Sequence, residues 1–250
     1  MGLTLTVLGC SGSYPGRGAA CSGYLVRDGS TTVWLDAGSG TMANLQLHVG
    51  LDEVDAVVIS HEHPDHCLEL PVVRNALVYG LDLRDVPLYA TRGVYTLLEK
   101  LIGSRGLTPA FVPKMIGDGS VARIGGIRMQ FSRTDHPVET LAVRFDDEAG
   151  GSGSSGYSSD TGPGRSLSKL GPGLDIAVVE ATFLHRDVGA ADSVHRTARQ
   201  TGEDAKAAGV RRLVVTHVPP TGDGDAIRAE AEAAFGGPTV LAAPHERYDT

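Results

Sequence analysis

The sequence predicts an α/β fold, a single domain over residues 1–250 built from two similar halves, roughly 1–118 and 119–250. Three observations predict it. Strand-like segments lead in each half and helical segments follow, the order expected when sheets and helices pack in layers. The stretch Val54 to Ile59 is an apolar run, the mark of a strand covered on both faces. A chain of 250 residues with 41% hydrophobic and 21% charged side chains can bury a sizeable core, which excludes a disordered polymer.

Taken in order, Leu3 to Leu8 alternates as a strand, and the glycine- and serine-rich segment Gly9 to Gly23 reads as a loop. Tyr24 to Val26 and Thr32 to Leu35 are two strands joined across Asp28-Gly29, a hairpin signal. Thr41 to Val49 reads as a short helix, and the buried strand Val54 to Ile59 ends at Ser60. A helix over about Cys67 to Tyr79, a strand at Pro87 to Ala90 and a helix at Thr91 to Ile102 follow. Residues 120–145 return to strand pattern, with Gly125-Gly126 as the turn. Ala149 to Gly156 has the composition of a flexible linker, but strand-like pattern on both sides makes it a hairpin tip. The remaining elements are a strand at Asp175 to Val179, a helix at Thr197 to Ala208, a strand at Arg212 to Thr216, a helix at Asp223 to Phe235 and a strand at Thr239 to Ala242.

The formal net charge is −8, from 30 acidic and 22 basic side chains. Nucleic-acid binders draw most of their affinity from basic faces that neutralise phosphates, so this balance disfavours a large polyanion such as RNA as partner. No segment approaches the roughly 20 apolar residues of a membrane helix. The N-terminus alternates as a strand instead of presenting a basic and then an apolar leader. Three widely spaced cysteines, Cys10, Cys21 and Cys67, do not make a disulfide framework. The expectation is a reduced, cytoplasmic protein with no membrane partner.

The chemistry concentrates in Ser60-His61-Glu62-His63-Pro64-Asp65-His66, directly after the buried strand. Three imidazoles and two carboxylates in six residues are the donor mix for zinc and its first-row neighbours. In an extended loop, positions i and i+2 point the same way, so His61 and His63 would grip one ion. Asp65 and His66 lie further along and would address a second. Two ions need more donors than one loop supplies, and His136, Asp160 and His217 stand where later strand-like runs stop. His48 and His245 read as surface residues, His185, five positions after Glu180, reads as a surface residue with lining of the pocket as the alternative, and Cys67 reads as packing beneath the metal loop. Gly9 to Gly18 lacks the Gly-Lys-Ser/Thr ending of a phosphate-binding loop and reads as structural.

The pattern His-x-His-x-Asp-His after a buried strand resembles the signature of the metallo-β-lactamase superfamily. Gly9-Cys10-Ser11-Gly12-Ser13, Leu35-Asp36-Ala37-Gly38, Tyr157-Ser158-Ser159-Asp160-Thr161 and Thr216-His217 extend the resemblance over the full chain. It implies a four-layer αββα fold, two sheets sandwiched between helices. It also implies two zinc ions, with manganese or iron as alternatives. His61, His63 and His136 would hold one ion, Asp65, His66 and His217 the other, and Asp160 would bridge. Val179-Glu180-Ala181-Thr182-Phe183 resembles the Glu-Ala-Thr box of ribonuclease Z and its relatives. His195-Arg196-Thr197-Ala198-Arg199-Gln200 resembles their His-Ser-Thr-Ala-x-Gln motif, with Arg196 where that motif has serine.

In that branch the implied catalytic residues are Glu180 and His195, paired near the scissile phosphate, with His195 as proton donor. Asp65 would add a hydrogen bond to the attacking water. The implied reaction is phosphodiester hydrolysis. The arm with which ribonuclease Z clamps transfer RNA is inserted between the third ligand histidine and the bridging aspartate. Here His136 and Asp160 are 24 positions apart, and the segment carries Asp146-Asp147-Glu148. That favours a small, cyclic-nucleotide substrate, similar to the short arm-less phosphodiesterases. The alternatives are a transfer RNA 3′-processing endoribonuclease and, after it, a thioesterase, lactonase or sulfatase on the same metals. A non-catalytic binding module is disfavoured because every ligand position is filled. The resemblance further implies a homodimer.

Overall fold

The computed structural model describes residues 2–103, 106–148, 153–187, 189 and 194–250. The first half runs β1 (Thr4–Gly9), β2 (Gly23–Arg27), β3 (Thr32–Leu35), α1 (Thr41–Leu45), β4 (Ala56–Ile59), α2 (Pro64–Cys67), α3 (Leu70–Asn75), β5 (Val86–Ala90), α4 (Arg92–Ile102) and β6 (Phe111–Met115). The second runs β7 (Val121–Ile124), β8 (Ile127–Arg133), β9 (Leu141–Asp147), β10 (Ser154–Tyr157), β11 (Ile176–Glu180), α5 (Ala198–Ala207), β12 (Arg212–Thr216), α6 (Gly224–Phe235), β13 (Thr239–Leu241) and β14 (Arg247–Asp249).

The strands form two seven-stranded sheets, ordered β14-β1-β2-β3-β4-β5-β6 and β13-β12-β11-β10-β9-β8-β7. In each, antiparallel pairing gives way to parallel pairing, from β3 onward in the first and from β10 onward in the second. Strand parity then sorts the side chains. Val33, Leu35 and Val58 face Met129, Phe131, Val143, Val178 and Val214 in a layer between the sheets. Trp34, Val57 and Ile59 face outward, under α3 and α4. Val179, Leu213 and Val215 face outward under α5 and α6. The result is the expected αββα order, and it explains why these strands carry apolar residues on both faces.

Several elements differ from the sequence-based expectation. The helix expected at Cys67 begins at Pro64, because proline at the first helical position needs no N–H partner. It breaks before Leu70 and restarts with Pro71 in its first turn. Val54 and Asp55 precede the strand, where Asp55 accepts a hydrogen bond from the Thr32 N–H (2.8 Å). Strands β6 and β14 were not expected, since Pro113 and the short charged Arg247-Tyr248-Asp249 obscure them. Both are outermost strands, where a missing donor or charged side chains are tolerated. Of the linker-like run, residues 149–152 lie outside the described residues, whereas Ser154 to Gly156 form strand β10, buried between β9 and β11. Among the described residues no helix is long and apolar enough to cross a membrane.

The parallel strands set the stage for the site. β3, β4 and β10–β12 all end at one edge, delivering Asp36, Ser60, the 158–160 turn, Glu180 and His217 to one place. Two cross-sheet hydrogen bonds lock the sheets beneath it. Tyr24 Oη and Thr216 Oγ1 are 2.6 Å apart, and Tyr157 Oη donates to Asp36 Oδ2 (2.8 Å).

Candidate active site

The chain leaves β4 at Ser60 and turns at once into α2, so His61 and His63 stand on the loop and Asp65 and His66 on the helix. Asp36 and His217 sit at the ends of their strands in left-handed backbone (φ 55° and 61°), as does Ser159 beside Asp160 (φ 51°). For residues with side chains, each costs on the order of 1–3 kcal/mol and persists where the surroundings over-determine it. Gly38 admits the close approach of this loop, because a Cβ there would collide with the Asp65 carbonyl oxygen.

The structure brings all seven residues expected to hold metal into one cluster. One nitrogen or oxygen from each of His61, His63, His136 and Asp160 lies within 4.8 Å of the others, and so do donors from Asp65, His66 and His217. Asp160 reaches both groups. Its Oδ2 is 3.5 Å from His61 Nε2, and its Oδ1 is 3.2 Å from His66 Nε2 and 3.3 Å from His217 Nε2.

The surrounding hydrogen bonds fix which nitrogen of each ring is free. His66 Nδ1 donates to Asp36 Oδ2 (2.8 Å). His61 Nδ1 donates to Ser60 Oγ (3.0 Å), which in turn donates to Asp36 Oδ2 (2.9 Å). His136 Nδ1 donates to the Val194 carbonyl (3.1 Å). His217 Nδ1 donates to Thr182 Oγ1 (3.2 Å), and Thr182 donates to Glu180 Oε2 (2.9 Å). In each ring the other nitrogen, Nε2, is turned toward the cluster, the arrangement in which outer partners orient metal-binding imidazoles.

The fit to metal ions rests on what this leaves behind. His61 Nε2, His66 Nε2 and Asp160 Oδ1 are buried with no hydrogen-bond partner. His136 Nε2 and His63 Nδ1 approach to 3.1 Å, a contact suited to two ligands of one ion. Burial, with His66 nearby, pushes His61 down to about 4, so it is neutral and available as a ligand. Despite burial, the Asp160, Asp36 and Asp65 charges hold His66 well above its ordinary value, and His217 and His66 hold Asp160 well below its own. Carboxylates and imidazoles at this density suit the binding of metal cations.

Beside the cluster, Glu180 is buried and accepts four hydrogen bonds. The donors are the Thr161 N–H (2.7 Å), Thr182 Oγ1 (2.9 Å), His195 Nδ1 (3.0 Å) and the Arg196 N–H (3.2 Å). Burial alone would lower His195, but the Glu180 charge and hydrogen bond overturn it and raise the imidazole to about 9. One His195 nitrogen lies within 4.8 Å of donors on Asp160 and His217. A group held protonated at that position can give a proton to whatever binds at the cluster.

Residues not singled out from the sequence are Asp36 as the hub for His66, His61 and Tyr157, Thr182 behind His217, and the Ser13 N–H, which donates to Asp65 Oδ2 (2.8 Å). The Asp36-Ala37-Gly38 turn was the available signal for the first of these. Arg196, the departure from serine, is buried. It spans Gly162 O (3.3 Å), Arg165 O and Asp204 Oδ2 (2.5 Å), tying the His195 segment to the loop after Asp160. Cys67 lies beneath the metal loop, with Sγ 3.3 Å from the His63 carbonyl. His48, His185 and His245 are exposed and stand outside the cluster.

Comparison with known proteins agrees with this arrangement. Residues 31–218 match the profile of the β-lactamase superfamily domain. The chain is 32% identical to protein ML1173 of Mycobacterium leprae, over 98% of this chain and 88% of that one. It is 29% identical to ribonuclease Z of Kineococcus radiotolerans, over 97% and 93% of the two chains. The crystal structure of the metallo-β-lactamase fold protein YhfI from Bacillus subtilis superposes over both entire chains with a TM-score of 0.89 at 26% identity.

Proposed function

Because the chain belongs to the β-lactamase superfamily and is a metal-dependent hydrolase of its ribonuclease Z-like branch, we propose that it is a di-zinc phosphodiesterase acting on a small cyclic nucleotide. The observation that carries this reading is the Glu180–His195 pair set against the metal cluster. A phosphodiester needs charge neutralised at its non-bridging oxygens and a proton delivered to a poor alkoxide leaving group. When bound, two divalent ions supply the first and activate the attacking water. His195 supplies the second. Its Nδ1–H is held by Glu180, so Nε2–H is the proton it transfers to the leaving oxygen, and Glu180 stabilises the imidazolium until then. Asp65, fixed by the Ser13 N–H, keeps its carboxylate turned into the cluster.

Substrate size is inferred from the hairpin β9–β10, which occupies the interval between His136 and Asp160 and carries the acidic Asp146 and Glu148. Among its described residues it supplies no arm for RNA. The second reading, transfer RNA 3′-end processing, draws support from the similarity to ribonuclease Z across nearly the whole chain.

The test compares turnover of 3′,5′-cyclic AMP with cleavage of a precursor transfer RNA by one zinc-loaded preparation, with His63→Ala as blank. Cyclic AMP hydrolysis without trailer removal is expected. Trailer removal without cyclic AMP hydrolysis overturns the reading in favour of the nuclease. Silence on both would direct the search to thioesters and lactones.

A further inference from the structure

Arg165 follows Asp160 on the same loop and is only 3% exposed. Its Nε donates to the Arg133 carbonyl (2.8 Å), but its Nη2 is buried with no hydrogen-bond partner. Among the described residues no carboxylate lies within ion-pair distance of it. The nearby Arg196 is itself paired to Asp204 (2.5 Å). Burial and the Arg196 charge push the Arg165 guanidinium down to about 10. Asp204 and Asp118 offset this only from a distance; a buried cation with no carboxylate in contact is costly, and an anion beside it would complete it.

The space beside it has the chemistry for that anion. Arg165 lines a cleft of about 370 Å³ together with Ser132, Thr134 and the exposed cations Arg133 and Lys169. Two carboxylates also border the cleft, but each already accepts a backbone donor: Asp118 from the Arg133 N–H (2.8 Å) and Asp135 from the Gly164 N–H (2.8 Å). Three cations thus face two carboxylates across this space, which leaves its lining net positive in a chain of net charge −8. No metal-cluster residue lines the cleft. Its walls are nevertheless the two loops that carry His136 and Asp160, joined by Thr134 Oγ1 donating to the Asp160 carbonyl (2.7 Å).

We propose that this cleft binds a phosphate group, its oxygens held by the buried Arg165 fork and the rim cations Arg133 and Lys169. Planar guanidinium and phosphate match in a bidentate fashion, which a lone ammonium does not offer. The phosphate comes either from a free phosphomonoester or from a second phosphate on a substrate that spans from the metal cluster to the cleft. The inference is independent of the proposed reaction, because it is read by binding.

The probe is inorganic phosphate, titrated calorimetrically into the zinc-loaded protein. Two phosphates per chain are expected, one at the metals and one in the cleft. The double variant Arg133→Gln/Lys169→Gln touches only exposed side chains. It should bind the cleft phosphate roughly tenfold more weakly or not at all, the metal-site phosphate remaining. Arg165→Gln should abolish cleft binding. If burial makes that variant unstable, the rim variant still decides. A single phosphate per chain in the wild type, or a second one unaffected by the rim substitutions, overturns the proposal. The two sources separate in kinetics. If the phosphate belongs to substrate, the rim variant raises KM for a 5′-phosphorylated dinucleotide about tenfold and leaves KM for 3′,5′-cyclic AMP unchanged. If it is free, both KM values hold, and glycerol phosphate fills the cleft of the wild type but not of the rim variant.

Discussion

His195 is useful only because Glu180 makes it so. Its charge is present below about pH 9 and is lost as pH rises through that value. Replacing Glu180 with Gln removes the charge that raises the imidazole. The alkaline limb of the pH–rate profile should therefore move to lower pH while zinc content holds. His195→Ala should cost roughly 10²–10⁴ in kcat, the range for losing a positioned proton donor. Asp36 governs a different quantity. Asp36→Asn weakens the acceptor that orients His66 and, through Ser60, His61, so zinc affinity should fall about 10–100-fold in a chelator competition. At this scale the sequence was informative about donors and silent about what aims them. Histidines at His61, His63 and His66 announce themselves by density. Asp36, Ser60 and Thr182 act through a backbone turn and the register between strands, which no spacing along the chain displays.

Elements were legible where pattern and burial coincide. Strands β3, β4, β11 and β12 carry apolar residues on both faces because both faces are covered, and helix α5 opens with a reciprocal cap between Thr197 and Gln200. They were illegible where a local rule is broken at an edge, as with Pro113 in β6, or where a short strand is charged at both ends, as with Arg247-Tyr248-Asp249 in β14. The α5–α6 contact offers a test. At Gly202 an added Cβ would meet the Ala231 carbonyl oxygen, backbone that cannot rotate aside. Helix propensity favours Gly202→Ala by about 1 kcal/mol, and overpacking opposes it by about 1–3 kcal/mol. Net loss of stability is expected, a Tm lower by a few degrees with the metal content unchanged.

Across the molecule, the cluster is the point where the two sheets are joined. His61, His63, Asp65 and His66 come from the edge of the first, and His136, Asp160 and His217 from the second. Ions bound there are linked to folding, so removing them with a chelator should lower Tm. For free metal at 1,000 times Kd the linkage is about 4 kcal/mol, which corresponds to about 10 °C for a chain of this size. Readdition of zinc should restore it in the same calorimetric scan. The sheet order has a consequence for how the molecule is made. Strand β1 pairs on one side with β14, from the other end of the chain, and the His217 N–H donates to the Cys10 carbonyl. On the ribosome, domains emerge N-terminus first. The first four ligands are therefore exposed while three donors and the closing strand are still untranslated. His217 is the last of the seven candidate ligands to be made, so the cluster stays incomplete until synthesis has passed that residue.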